Sequence, residues 1–248
     1  MTLRFVLWLG LLNASPDALS HSSPVEAALV QSLEDGIGAA KLGDWVTYEM
    51  EGGPSRSGYW RIAVVEEQRD ALGRDAYWLE LEMGTHGDMV APLFRMRALV
   101  ARDAGFNGVG ITRLIVAYGA DSAHELAADA MRQLMTQSGH PPSLPARTSP
   151  STQGPVIRKG EPNRILTAMG TIIATPVEVI DRKVVLKRIW VSEEVPVLHL
   201  AKLEIPSIGQ SMEVHRYGHD AKAQLPIPAR DQPQIRAEPL QRAANPVP

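Results

Sequence analysis

The chain has 248 residues, 44% of them hydrophobic and 21% charged, with 25 Lys and Arg against 28 Asp and Glu. A net charge of −3 gives no cationic excess for neutralising phosphates, which excludes a general nucleic-acid binder. Cysteine is absent, so disulfides, thiolate metal sites and a lipid-modified N-terminal cysteine are excluded, and the fold must rest on its core.

In chain order, Arg4 precedes an apolar run over residues 5–12, and Pro16 breaks that run. Ala18 and Ser20 place small residues where a signal peptidase reads, so we expect a signal peptide over residues 1–20. The run is far shorter than the about 20 residues of a spanning helix. The protein is therefore expected to be periplasmic or secreted, and not membrane-spanning after signal removal. Residues 24–42 read as a first helix, with Pro24 in its opening turn, Ala28, Leu29, Leu33 and Ile37 on one side, and Gly43 as the stop.

Strand patterns follow at 44–51, 58–67, 76–83, 93–100 and 111–118. The third alternates cleanly: Tyr77, Leu79, Leu81 and Met83 point one way, and Trp78, Glu80 and Glu82 the other. In the fourth, Phe94, Met96, Ala98 and Val100 oppose Arg95 and Arg97. In the fifth, Leu114, Val116 and Tyr118 oppose Arg113. Residues 122–137 read as a second helix, with Ser122 and Glu125 as a capping box and Leu126, Ala130, Leu134 in an apolar stripe. Residues 140–155 are rich in Pro and Ser and read as a long surface loop.

Strands resume at 163–175, 176–182, 184–192, 197–205 and 211–218. Pro196 cannot donate to a ladder, so it marks a turn, with Ile189 and Val191 on the apolar face before it. Leu198 and Leu200 are expected to oppose His199 on the strand after it. The segment 225–248 carries many prolines and few large apolar residues, and is expected to be a disordered tail. The domains are then a signal peptide, one domain over 21–224, and the tail.

About nine or ten strands at this spacing predict a mainly β (α+β) fold: a large curved antiparallel sheet, an open half-barrel, with the two helices packed on its concave face. The absence of regular strand–helix alternation argues against a doubly wound fold.

The order of Gly43-Asp44-Trp45-Val46-Thr47-Tyr48, Thr175-Pro176, Ile189-Trp190-Val191-Ser192, Val195-Pro196 and the Met212–Tyr217 strand closing on Gly218 resembles the periplasmic lipoprotein-carrier (LolA/LolB-like) proteins and their exported relatives. The resemblance covers residues 43–220. It implies an antiparallel sheet curved into an open barrel, helices plugging its mouth, and an apolar cavity for acyl chains.

The motifs that carry chemistry are sparse. His124-Glu125 begins a near miss for a zinc-protease helix, but Ala128 stands where the second His belongs. His215 and His219 sit at a strand end, where four residues span about 13 Å, too far to share a metal without a tight turn. Residues 105–110 are glycine-rich but lack the Lys-Ser/Thr of a phosphate-binding loop. No G-x-S-x-G nucleophile elbow occurs. Glu80 and Glu82 face Arg95, Arg97 and Arg113 as a solvated ladder of cross-strand ion pairs.

What remains is the apolar face of Tyr77, Leu79, Leu81, Phe94, Met96, Leu114, Val116, Ile189 and Val191, read either as packed core or as the lining of a hydrophobic ligand site. The sequence thus predicts a non-enzymatic carrier with no catalytic residue, metal or cofactor. A lipid or acyl chain is its expected ligand. The alternative is a structural or interaction protein that engages an envelope protein partner through its edge strands or tail.

Overall fold

The computed structural model describes residues 39–52, 58–102, 110–131, 156–229 and 232–235. Its strands are β1 (Trp45–Glu51), β2 (Gly58–Arg69), β3 (Asp75–Gly84), β4 (Phe94–Ala101), β5 (Ile111–Tyr118), β6 (His124–Glu125), β7 (Val156–Lys159), β8 (Asn163–Thr167), β9 (Gly170–Asp181), β10 (Val184–Val191), β11 (Leu200–Ile205) and β12 (Gln210–Gly218). They form one 12-stranded sheet in the order β6-β5-β4-β3-β2-β1-β12-β11-β10-β9-β7, with β8 also on β9. Every neighbouring pair is antiparallel. The pairing of β1 with β12 welds the two strand series into one sheet. Residues from β5 and from β9 share a single buried cluster, so the sheet bends around its apolar face.

The faces follow the period-two alternation of the sequence. The larger cluster holds Tyr77, Leu79, Leu81, Met96, Leu114, Val116 and Ile189 on the concave side. The smaller one holds Ala63, Ala76, Trp78, Leu99, Ile115 and Ala117 on the convex side, together with Leu225.

The concave face is covered differently from expectation. Of the expected helix 24–42, residues 24–38 lie outside the described residues, Ala39 is helical, and residues 42–43 form a turn. Of 122–137, the helix starts only at residue 128, and 132–137 lie outside. His124 and Glu125 belong instead to β6, pairing with Val116 and Ile115, because Glu125 serves Arg113 across the strand and not a helix cap. Among the described residues, helical structure is Ala39, one short stretch at 128–131 and a 3-10 turn at Pro206–Ile208, so two packed helices are not supported. Cover comes from the loop 192–199, whose Val195, Val197 and Leu198 are buried in the concave cluster, and from Ile165 and Ile172 of the β8–β9 hairpin. Ser192 Oγ donates to the Ile173 carbonyl at 2.6 Å, and the Ile173 N–H donates to Glu194, fastening hairpin to loop.

Two further local expectations change. Pro196 does lie in a turn, but the turn runs to His199, with Val197 and His199 at positive φ, so Leu198 and His199 do not alternate on a strand. Thr175-Pro176 is not a strand boundary. Pro176 sits inside β9 between its partners β7 and β8, where the missing N–H goes unneeded and its carbonyl accepts from Gly160 N at 2.8 Å. The real turn is at Ala168-Met169.

Of the tail expected to be disordered from residue 225, residues 225–229 and 232–235 are described, Leu225 lying in the convex cluster and Ile235 packing against the concave one. Leu225 is buried, and Ile235 bridges Leu126. Backbone groups of Gln224 and Leu225 meet the distant pair Glu80 and Arg97, and the Ile235 backbone meets Glu125 and Ala127. Residues 1–38, including the expected signal peptide, the glycine-rich stretch 105–109, and the loop 140–155 lie outside the described residues.

Candidate functional site

Cross-strand register assembles the concave face into rows. Tyr118 of β5 pairs with Phe94 of β4, Phe94 with Met83 of β3, and Met83 with Trp60 of β2. Trp60 pairs with Tyr48 of β1, and Tyr48 with Val214 of β12. Exposure falls along this row, from 41% at Tyr118 through half-buried Phe94 and Met83 to Trp60 at 6% and Tyr48 at 0%. Four strand spacings of about 4.8 Å put its ends roughly 19 Å apart. A second row runs beside it through Val116, Met96, Leu81, Ile62, Val46 and Tyr217. Beyond β12 the face continues through Met212, Leu203, Ile189 and Val177.

All nine residues expected to line the site lie in strands that share this sheet. Tyr77, Leu79, Leu81, Met96, Leu114, Val116 and Ile189 are buried in the concave cluster; Phe94 and Val191 are half-buried against it. Tyr48, Trp60 and Met83 complete the row but were not among the nine. The alternation of Val46 and Tyr48 within β1 carries the signal for Tyr48, and pairing β1 to β2 would have added Trp60.

Apolar contact dominates these rows, and burial sets their chemistry. It pushes the Tyr48 phenol far above its ordinary range, so the hydroxyl stays protonated and is a donor. Tyr77 is pushed up to about 12 by the same burial, offset by the nearby Arg102 charge. Arg102 lies over the Tyr77 ring, 5.1 Å from its centroid, pairs with Glu67, and donates to the Ala40 carbonyl, closing that end of the face.

The convex face carries the charges, and they are not a solvated ladder. Glu82 pairs with Arg61 at 2.8 Å, and Arg97 with Glu66 at 2.5 Å and Glu80 at 3.8 Å. Arg113 makes two bonds of 2.8 Å to Glu125, which raise its pKa, while Arg95 donates to the Gly119 carbonyl. Glu80 and Arg97 are buried where the chain's own segment around Leu225 bonds to both, and Glu82 is buried beside Arg61. The Trp78 indole lies between two guanidinium groups, Arg97 at 4.9 Å and Arg113 at 5.2 Å. Each of these acids is engaged in an ion pair.

His215 and His219 turn to separate partners. His215 faces Glu49 and the Tyr59 ring, with Tyr59 donating to Glu49 at 2.8 Å; that bond raises the Tyr59 pKa. His219 contacts Asp44 at 2.7 Å. Among the described residues no group of three or more His, Asp or Glu is placed to hold a metal, and no helix is long and apolar enough to cross a membrane.

No protein-family model and no curated protein matches the chain. Solved structures are similar in part. MucB in complex with MucA(peri) aligns over 83% of this chain and 57% of its own, at 11% identity and a TM-score of 0.39. A protein of YmcC-like fold from Bacteroides fragilis aligns over 72% of this chain and 97% of its own, at 9% identity and a TM-score of 0.31. LprF from Mycobacterium bovis aligns over 84% and 98%, at 11% identity and a TM-score of 0.30. The chain thus spans little more than half of the MucB chain. These similarities assign no ligand, partner or activity to this chain.

Proposed function

We propose that the chain is an exported, non-enzymatic carrier that shelters a lipid or other hydrophobic ligand against the concave face of its sheet. The observation that supports this most is the graded row of side chains on the concave face, from exposed Tyr118 to buried Tyr48. Burial of an acyl chain along it would be driven by about 0.8 kcal/mol per CH₂, with no covalent chemistry asked of any side chain. Met83 within the row and Met50 on the same cluster can repack around an entering chain, because thioether side chains adapt their shape. Export rests on the expected signal at residues 1–20.

The test is organic extraction of protein purified without detergent, followed by mass spectrometry. A lipid recovered in near-stoichiometric amount supports the carrier. A blank extract, together with no uptake of lipid from vesicles, overturns it.

A second reading, an interaction protein of the cell envelope, is favoured by one observation. The outer face of the β8–β9 hairpin leaves Leu166 at 79% and Ile173 at 55% exposure, with Met169 at its tip. Replacing Leu166 and Ile173 by Ser should abolish co-purification of an envelope protein on that reading and leave lipid uptake intact on the first.

A further inference from the structure

Five buried side-chain polar atoms among the described residues have no hydrogen-bond partner: Tyr48 Oη, Trp78 Nε1, Arg95 Nε, Arg97 Nε and His215 Nδ1. Four belong to residues of the convex side, where charges and ring faces surround them. Tyr48 is different. Its ring is wholly buried in the apolar concave cluster, between Trp60 on β2 and Val214 on β12. A buried hydroxyl left unpaired costs free energy comparable to a lost hydrogen bond, so such a group calls for a reason.

The local backbone gives it a fixed place. The β1–β12 register slips by one residue between Thr47 and Tyr48, leaving His215 of β12 as the extra residue of a bulge beside Tyr48. The row offers dispersion contact along its length and, at its buried end, the unpaired Tyr48 hydroxyl as a donor. A ligand matching both is apolar over most of its length and carries an acceptor at one end.

Resting on the carrier reading above, we propose that Tyr48 is a ligand-binding residue that donates a hydrogen bond to a carbonyl or carboxylate oxygen of an acyl ligand. The sheltered molecule is then a fatty acid or acyl ester and not a plain hydrocarbon. The acyl chain lies along Trp60, Met83 and Phe94 toward Tyr118, and its carbonyl end points inward. Phenylalanine at position 48 would keep the apolar fill and remove only the donor.

The experiment compares two probes on two proteins: methyl palmitate labelled with ¹³C at the carbonyl, and hexadecane, each titrated into detergent-free wild type and Tyr48→Phe. Circular dichroism and thermal melting confirm that the variant is folded. The expected result is that both probes bind the wild type and that Tyr48→Phe weakens the ester about five- to tenfold, the effect of one neutral hydrogen bond. Hexadecane binding stays unchanged, and the bound carbonyl resonance shifts upfield in the variant. Equal ester affinity and an identical carbonyl shift in both proteins would overturn the proposal and leave the carrier reading standing, the hydroxyl then being satisfied by an internal water. Failure of both probes to bind the wild type would overturn the two together.

Discussion

Arg97 and Leu225 are 128 residues apart in sequence, yet Arg97 Nη1 donates to the Leu225 carbonyl at 2.9 Å. On the other side of the same residue, the N–H groups of Gln224 and Leu225 both donate to the Glu80 carboxylate, at 2.8 and 3.1 Å. The ion pair on β3 and β4 thus grips a short backbone segment from both sides, and the Leu225 side chain fills the convex cluster beneath it. This clasp is what seats a proline-rich stretch that composition alone would leave unstructured.

Leu225→Ala should cost about 2–4 kcal/mol in urea unfolding, as a buried leucine truncated in a packed site does. Arg97→Ala should cost more, about 3–5 kcal/mol, because it strands the buried Glu80 carboxylate. Hydrogen exchange read at residues 224 and 225 should speed up in both variants. Unchanged exchange there would show that the clasp does not hold the segment.

Stability should also carry a pH signature from Glu80. Burial pushes its carboxyl above the ordinary 4.5, opposed by the two backbone N–H bonds and Arg97. With the folded value above the unfolded one, the native state binds more protons in the window between them. The contribution is fully present below 4.5 and is lost as pH rises through the raised value. Glu80→Gln should remove this slope, so the wild type should gain on the variant as pH is lowered from 7 toward 5. Urea midpoints for both proteins across that range check it; parallel curves would contradict it.

Gly52 and Gly73 share the same backbone angle, φ 78°, but not the same surroundings. A Cβ at Gly52 would lie 1.9 Å from the Gly209 carbonyl oxygen, while one at Gly73 would meet nothing within 4 Å. Gly73→Ala should therefore cost only the left-handed backbone term, about 1–2 kcal/mol. Gly52→Ala should cost clearly more, since β1 and the β11–β12 turn must part. Thermal melting of the two variants side by side decides this.

The apolar face was legible in the sequence because period-two alternation in residues 76–83, 93–100 and 111–118 survives folding unchanged. Tyr48 and Trp60 were harder to see. Each sits in a strand that was recognised, but their place at the centre of a row depends on β1 pairing with both β2 and β12, which no local pattern reveals. The β8–β9 turn at Ala168-Met169 went unread because neither residue is a typical turn former, and Pro176 drew the boundary to itself. His124-Glu125 followed a helical pattern at its own level and lost to the pairing of Glu125 with Arg113. The loop 192–199 filling the concave face was invisible for a similar reason. Val197 and Leu198 read as strand residues, whereas Val197 and His199 take positive φ and the segment is a turn.

The central claim is that the concave row is where a hydrophobic ligand lies. Its most direct measurement is the equilibrium affinity of a fluorescent acyl-chain probe for detergent-free protein, compared among wild type, Phe94→Asp in the row and Leu166→Asp on the outer hairpin. The account predicts saturable binding that weakens tenfold or more, about 1.4 kcal/mol, in Phe94→Asp and is unchanged in Leu166→Asp. No saturable binding by the wild type, or a Phe94→Asp variant that binds as tightly, would contradict it.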